Sequence, residues 1–346
     1  MPPRLAEVAG LAGVSQATAS RVLSGKPGVA PHTREAVLSA AEELGYQRPI
    51  AAPADRLLLG VVVQELENPI FASFAQNLTT LLARAGHTPM LGSQTAVGIA
   101  EDEWVRMLLE RGGAGVIFVS GTHADTHATP ERYERLRAQR IPLVMINGHL
   151  DGVDAISISD DDHHAMGLAV DHLVSLGHRR IGLAVGPERY TPVIRKLAGF
   201  HAALDHHDLD SEGLVEHSIF TLEGGRAAAL ALLDRGATAI VCASDLMAFG
   251  AIRACRARKL DVPGDISVVG YDDSSLAAFA GPALTTVRQS VVEMCRVAVR
   301  MLLDEIDGKP SPRQEYLFHP ELVVRASTGA APVQPRLGRS KLAAGA

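Results

Sequence analysis

The sequence predicts an all-α helix-turn-helix head joined to an α/β core of two doubly wound lobes. Three observations carry that prediction. Residues 5–24, LAEVAGLAGVSQATASRVLS, hold two short helical periods on either side of Gly13. From Leu57 onward, short apolar runs alternate with helical stretches for more than two hundred residues. Between these regions lies a segment interrupted by Pro49 and Pro53.

In the head, Leu5, Val8, Ala9 and Ala12 form one helical stripe, and Val14, Ala17, Val22 and Leu23 form a second. Gly13 can supply the positive φ of a sharp turn between them. Ser15 stands where an N-cap belongs, its hydroxyl able to accept an orphan amide of the next turn. Two helices joined by a short turn containing Gly match the motif whose second helix fits the major groove. The exposed face of that helix offers Ser15, Gln16, Thr18, Ser20 and Arg21, groups able to meet base edges and phosphates. The same small polar residues also cap and support helices. The loop GKPGVAP leads to a third helix over residues 32–45, with Ala36, Val37, Ala40, Ala41 and Leu44 on its apolar stripe. Residues 1–48 are the head and residues 49–56 the linker.

The core spans 57–329. Its first run, LLLGVVVQ, is continuously apolar, as in a strand covered on both faces. Strands follow at 88–93, 115–120, 143–147 and 155–159, with helices at 71–85, 100–111 and 130–139 between them. A second set has strands at 180–186, 215–220, 239–244 and 267–273, with helices at 162–176, 192–205, 224–235 and 246–258. A helix at 290–306 and the stretch 316–328 complete the lobes. Alternation of this kind implies parallel sheets, and ligands in such folds bind beyond the carboxyl ends of the strands. Residues 330–346 read as a disordered basic tail.

Composition sets limits. In 346 residues, 47% are hydrophobic and 21% charged, which fits a globular chain and not a disordered one. No apolar run approaches the roughly 20 residues of a membrane span. The opening MPPRLAEVAG lacks the pattern of a secretory signal. Cys242, Cys255 and Cys295, odd in number and far apart, suggest reduced thiols in the cytoplasm, packed in the core. The net charge of −6 is unevenly spread: the head carries +1 and the tail +3, so the core carries −10. A nearly neutral head on an acidic body suits specific, dimeric DNA binding with modest non-specific affinity.

Enzyme chemistry finds little support. The run DDDHH at 160–164 and the pair His123 and His127 have metal-like composition, but the first lies at a helix start between lobes and the second in a loop without a further ligand pair. No nucleophile elbow, phosphate-cradling loop or zinc-protease helix is present in the sequence. No catalytic residue, metal or cofactor is therefore assigned.

Eight segments, in order, resemble the lactose-repressor (LacI/GalR) family of bacterial transcription regulators. They are VAGLAGVSQATASRVLSG, TREAVLSAAEELGY, ENPIFA, HLVSLGHRRIGL, KLAGFHAAL, ASDLMAFGAIRA, VPGDISVVGYDD and PALTTVRQ, spread over roughly residues 4–328. The resemblance implies a core like the periplasmic sugar-binding proteins, a homodimer, a pseudo-palindromic operator in double-stranded DNA, and a small effector, commonly a sugar, in the cleft between lobes. It implies a repressor of carbohydrate uptake or catabolism. It places Gln16 and Ala17 at the two base-reading positions of the recognition helix, with Arg21 later on the same helix. It places Gln64, Asn68, Phe71 and Asn147 on the cleft side of the first lobe. It places Arg195, Lys196, Ser244 and Asp272 on that of the second, with strand-end capping or hydrogen bonding between the lobes as the alternative role for each of these residues.

The chain departs from the family in four places. Arg4 and Ala30 stand where Ser or Thr often cap helices, at a cost of about 1 kcal/mol each, so the head is expected to order fully only on DNA. The linker PIAAPADRL lacks the Asn of the family hinge and carries Pro53, which predicts weaker operator bending. Lys196 replaces the usual Arg, giving a point charge instead of a fork, which weakens a simple carry-over of neutral-sugar specificity.

Overall fold

The computed structural model describes residues 4–24, 26–46, 56–94, 100–210, 213–309 and 311–333. The chain divides into two compact units, Met1–Arg56 and Leu57–Ala346. The linker residues 47–55, on which the expectation about bending rests, lie outside the described residues.

The first unit holds helices α1 (Leu5–Leu11), α2 (Gln16–Leu23) and α3 (Pro31–Glu43). Their core is small: Val8, Ala9, Ala19, Val22, Val37, Ala40 and Ala41. Ala36 and Ala17 are exposed, unlike the two stripes drawn above, because the narrow three-helix core leaves room for Ala19 in place of Ala17. Gly13 has φ +65° in the turn before α2, as the turn requires. The missing Ser/Thr caps are partly replaced. At α1 the Arg4 backbone N–H donates to the Glu7 carboxylate at 2.9 Å. At α3, Pro31 occupies the first helical position, where its lack of an N–H costs nothing.

The second unit contains two six-stranded sheets. Lobe 1 has strands β1 (Leu58–Val63), β2 (Thr88–Ser93), β3 (Gly113–Val119), β4 (Leu143–Ile146), β5 (Ile156–Asp160) and β11 (Glu315–Phe318). Their order is β11-β5-β4-β3-β1-β2, and every neighbouring pair is parallel. Lobe 2 has β6 (Ile181–Val185), β7 (Val215–His217), β8 (Ala239–Cys242), β9 (Ser267–Asp272), β10 (Thr285–Arg288) and β12 (Glu321–Val323). Their order is β12-β10-β9-β8-β6-β7, parallel except for the antiparallel edge strand β12. Helices α4 (Pro69–Arg84), α5 (Glu101–Glu110), α6 (Glu131–Ala138) and α11 (Val291–Ile306) belong to lobe 1. Helices α7 (Asp162–Ser175), α8 (Thr191–His206), α9 (Leu222–Asp234) and α10 (Asp245–Ala257) belong to lobe 2. Helices α9 and α10 pack closely because both contacts are glycines: a Cβ on Gly225 would lie 2.2 Å from the Met247 carbonyl, and one on Gly250 would lie 2.0 Å from that of Leu222.

The backbone passes between lobes three times, after β5, after β10 and after β11. Strand β10 went unread in the sequence: its run TTVR is short and half polar. For the same reason 316–328 resolves into β11 and β12, one in each sheet. Strand β7 ends at His217, short of Phe220, since its partner β6 stops at Val185 and the Phe220 ring fills the space beside Gly186. The chain stays on lobe 2 beyond residue 329, which corrects the start of the expected tail: the Ala331 N–H donates to the Leu176 carbonyl at 2.8 Å. The three cysteines are free and buried, and burial pushes all their thiols up, Cys255 to about 12. Among the described residues no helix is long and apolar enough to cross a membrane.

Candidate functional site

Two surfaces carry the candidate residues. On the head, α2 begins at Ser15, whose Oγ accepts from the Thr18 N–H at 3.2 Å and lies 2.9 Å from the Thr18 hydroxyl. Ser15 and Thr18 thus cap the helix. The Ser20 carbonyl accepts from the Ser24 hydroxyl at 2.5 Å. Arg21 donates to the Pro27 carbonyl at 3.2 Å and Arg34 to that of Lys26 at 3.1 Å, so two guanidinium groups fasten the following loop. Gln16 and Ala17 are exposed at the start of α2. The exposed start of α2 is a short polar and small-residue face sized for base edges.

In the core, the carboxyl ends of the parallel strands face one another across the cleft. At the end of β1, Gln64 donates to the Ser120 carbonyl at 2.6 Å and to the Gln94 Oε1 at 3.3 Å. Gln94 in turn donates to the buried Glu101 at 3.0 Å, which also accepts from Tyr133 and Arg132, each at 2.8 Å. Asn147, held at φ +57° after β4, donates to the Gln289 Oε1 at 3.1 Å. Gln289 donates onward to the Asp272 Oδ1 at 2.7 Å. This chain of amides spans both lobes at the base of the cleft. Asp272 is buried, and its Oδ2 has no partner among the described residues. Burial, reinforced by the charge of Asp245, pushes the Asp272 carboxyl well up. Asp245 itself, held by the Thr286 hydroxyl at 2.6 Å and the Ser274 N–H at 2.7 Å, is pushed up to about 6 by burial.

Lys196 is buried, ion-paired with Asp162, and its Nζ lies 3.8 Å from the Tyr271 ring centroid. The Tyr271 hydroxyl donates to the same Asp162 oxygen at 2.8 Å. Arg195 reaches across the lobes in a two-pronged pair with Glu315, at 2.6 and 2.8 Å. Asp160, at the first crossover, accepts from the Ser290 N–H of the second at 3.2 Å, and burial pushes it up to about 7. Asp160 and Asp162 of the DDDHH run therefore bind the crossovers and Lys196. Asn68 and Ser244 cap α4 and α10 through the Ile70 N–H at 3.3 Å and the Met247 N–H at 3.2 Å. Phe71 is half-buried against the lobe 1 core.

Away from the crossovers the lobes also touch. The Thr126 N–H and hydroxyl both donate to the Arg189 carbonyl at 2.8 Å, and the Arg189 Nε lies 3.1 Å from Asp125. The cleft is thus bridged at both ends, and the predicted polar contact residues are engaged with other protein groups. An open space of about 560 Å³ lies between Pro69, Ser73, Asp272, Gln289 and His319. It takes in Asp272 but none of the other seven nominated cleft residues.

Sequence reasoning missed Gln289, Asp162 and the aromatic pair Tyr190–Phe220, whose ring centroids are 6.4 Å apart at the ends of β6 and β7. Gln289 stood inside a motif that resembled the family, but with β10 unread its place at a strand end was invisible.

Residues 4–49 match the family described as bacterial regulatory proteins, lacI family, and residues 170–328 match a periplasmic binding protein-like domain. The chain is 56% identical over 338 residues to the HTH-type transcriptional regulator MalR of Streptomyces coelicolor, covering 96% of this chain and 98% of that one. The protein is a member of the LacI family. As such it is a DNA-binding transcriptional regulator and not an enzyme. Among solved LacI-family structures, it is similar to the regulator CelR in complex with cellobiose, with a TM-score of 0.70, 32% identity and coverage of 94% of this chain and 99% of that one. It is also similar to the Lac repressor dimer bound to operator and the anti-inducer ONPF, with a TM-score of 0.68, 28% identity and coverage of 95% and 100%.

Proposed function

We propose that this LacI-family protein is a cytoplasmic, homodimeric repressor of genes for carbohydrate uptake or catabolism. Its grip on a pseudo-palindromic operator is set by a sugar in the interlobe cleft. The observation that carries this reading is the amide chain Asn147–Gln289–Asp272, which joins the lobes through groups that sugar hydroxyls can replace. The CelR structure, with cellobiose bound, supports a carbohydrate effector. The Lac repressor structure, a dimer on operator, supports the DNA partner and the dimer. Phe279, 88% exposed, and Leu276, 51% exposed, give lobe 2 an apolar surface suited to a second copy.

The mechanism is two-state. Effector replaces the internal partners of the cleft residues, the lobes change their relative closure, and the change alters the spacing of two heads over two half-sites. Gln16 and Ala17 read base edges; Ser15, Thr18, Ser20 and Arg21 hold the helix and the phosphates. Gln64, Asn68, Phe71 and Asn147 meet the effector from lobe 1, and Arg195, Lys196, Ser244 and Asp272 from lobe 2, directly or by positioning.

Selection of bound fragments from random duplex DNA by the purified protein, at fixed salt, tests the first half of this reading. It should recover one pseudo-palindrome. Recovery of no consensus, with and without sugars present, would overturn it.

A further inference from the structure

The strand ends that frame the cleft have a common chemistry. From β1 to β5, lobe 1 presents Gln64, Gln94, Ser120, Asn147 and Asp160. From β6 to β10, lobe 2 presents a glycine, two serines, Asp272 and Gln289. These are amides, hydroxyls and carboxylates; Arg288, the last residue of β10, adds a cation, but it is paired with Asp273 at 2.7 Å and with Glu321 at 3.5 Å. The cations that approach the cleft are already matched: Lys196 by Asp162, Arg195 by Glu315, and Arg189 by Asp125. The acceptors are not all matched, since Asp272 Oδ2 is buried without a partner among the described residues. The carboxyl group of Asp245 stands close behind, bound to the Ser274 N–H two residues beyond Asp272.

We infer that the effector is an uncharged polyhydroxy compound, and that phosphorylated or carboxylated sugars are rejected. This rests on the sugar-effector reading above and narrows it. A hydroxyl donates to a carboxylate or amide oxygen and accepts from an amide N–H, so it exchanges one for one with the Asn147–Gln289–Asp272 bonds. A phosphate or carboxylate offers only acceptors at neutral pH. In this cleft it would shed its water and find no cation among the described residues that is not already paired. Lys196 offers a point charge without a two-pronged fork, and Asp162 takes that charge.

The test is a binding measurement on the full-length protein with neutral mono- and disaccharides, cellobiose among them, and with the 6-phosphate of each. Inorganic phosphate serves as a further probe. A neutral sugar should bind, and its phosphate should bind at least about a hundredfold more weakly. A phosphorylated sugar that binds as well as its neutral parent, or better, would overturn the inference and leave the sugar-effector reading standing. Failure of every sugar in both forms would overturn that reading instead, and the inference with it. The substitution Asp162→Asn sharpens the result. Its amide oxygen can still accept from Tyr271, but Lys196 loses its counter-charge. The ratio of phosphate to neutral affinity should rise by about tenfold or more. An unchanged ratio in a folded variant would contradict the role given to the Lys196–Asp162 pair. The comparison on the unaltered protein stands whether or not the variant folds.

Discussion

The head and the core hold their specificity residues in opposite states. Gln16 and Ala17 stand exposed at the start of α2. Asn147, Arg195, Lys196 and Asp272 are all engaged with protein partners. A surface that reads DNA can wait open, because each base contact simply replaces water. A cleft that reports a ligand by moving must break something when the ligand arrives, so its residues carry folding energy as well as recognition. The contrast predicts that substitutions in the cleft disturb stability and that substitutions at Gln16 and Ala17 disturb only binding.

The largest effect should come from Lys196→Ala. It leaves the buried Asp162 carboxylate without its cation and should cost about 3–5 kcal/mol, read from the urea midpoint. Replacing both partners, as K196M with D162N, should recover most of that loss, because the charges leave together. A single substitution costing no more than a surface change would break the comparison from the core side.

Asp160→Asn should show a smaller effect that depends on pH. Burial raises the Asp160 carboxyl from its ordinary 3.8 to about 7. The folded protein therefore keeps a proton that the unfolded chain gives up. Stability falls as pH climbs through that window and levels off above it. Asn retains an oxygen for the Ser290 N–H and carries no charge. The stability of D160N relative to the parent should increase by about 2–3 kcal/mol between about pH 5 and about pH 8. A difference independent of pH would contradict the burial of this carboxyl.

On the head, Gln16→Ala should leave the urea midpoint within about 0.5 kcal/mol of the parent. Its operator affinity should fall by about 1–3 kcal/mol, with relaxed preference at one base position, measured by gel shift at fixed salt. A loss of stability equal to the loss of affinity would erase the distinction between the two regions.

The sequence showed most of the architecture because its signals were periodic. The apolar runs from Leu57 onward marked nine of the parallel strands, and Gly13 with Ser15 marked the turn into α2. Strand β10 and the split of 316–328 were hidden because short, half-polar edge segments take their structure from a neighbouring strand. The cleft was legible as a set of residue types at strand ends. What each residue does was not. Asn68 and Ser244 cap helices through neighbours two and three residues on, whereas Lys196 is spent on Asp162, a partner 34 residues away. The Arg195–Glu315 pair spans 120 residues and two lobes, beyond the reach of any local pattern.

The central claim is that occupation of the cleft is felt at the DNA. Once the operator has been selected, its affinity for the intact protein should be measured by titration with and without a saturating neutral sugar shown to bind. The account predicts a shift of at least about tenfold, the size of an ordinary allosteric coupling. An operator affinity unchanged by a sugar that demonstrably occupies the protein would contradict it.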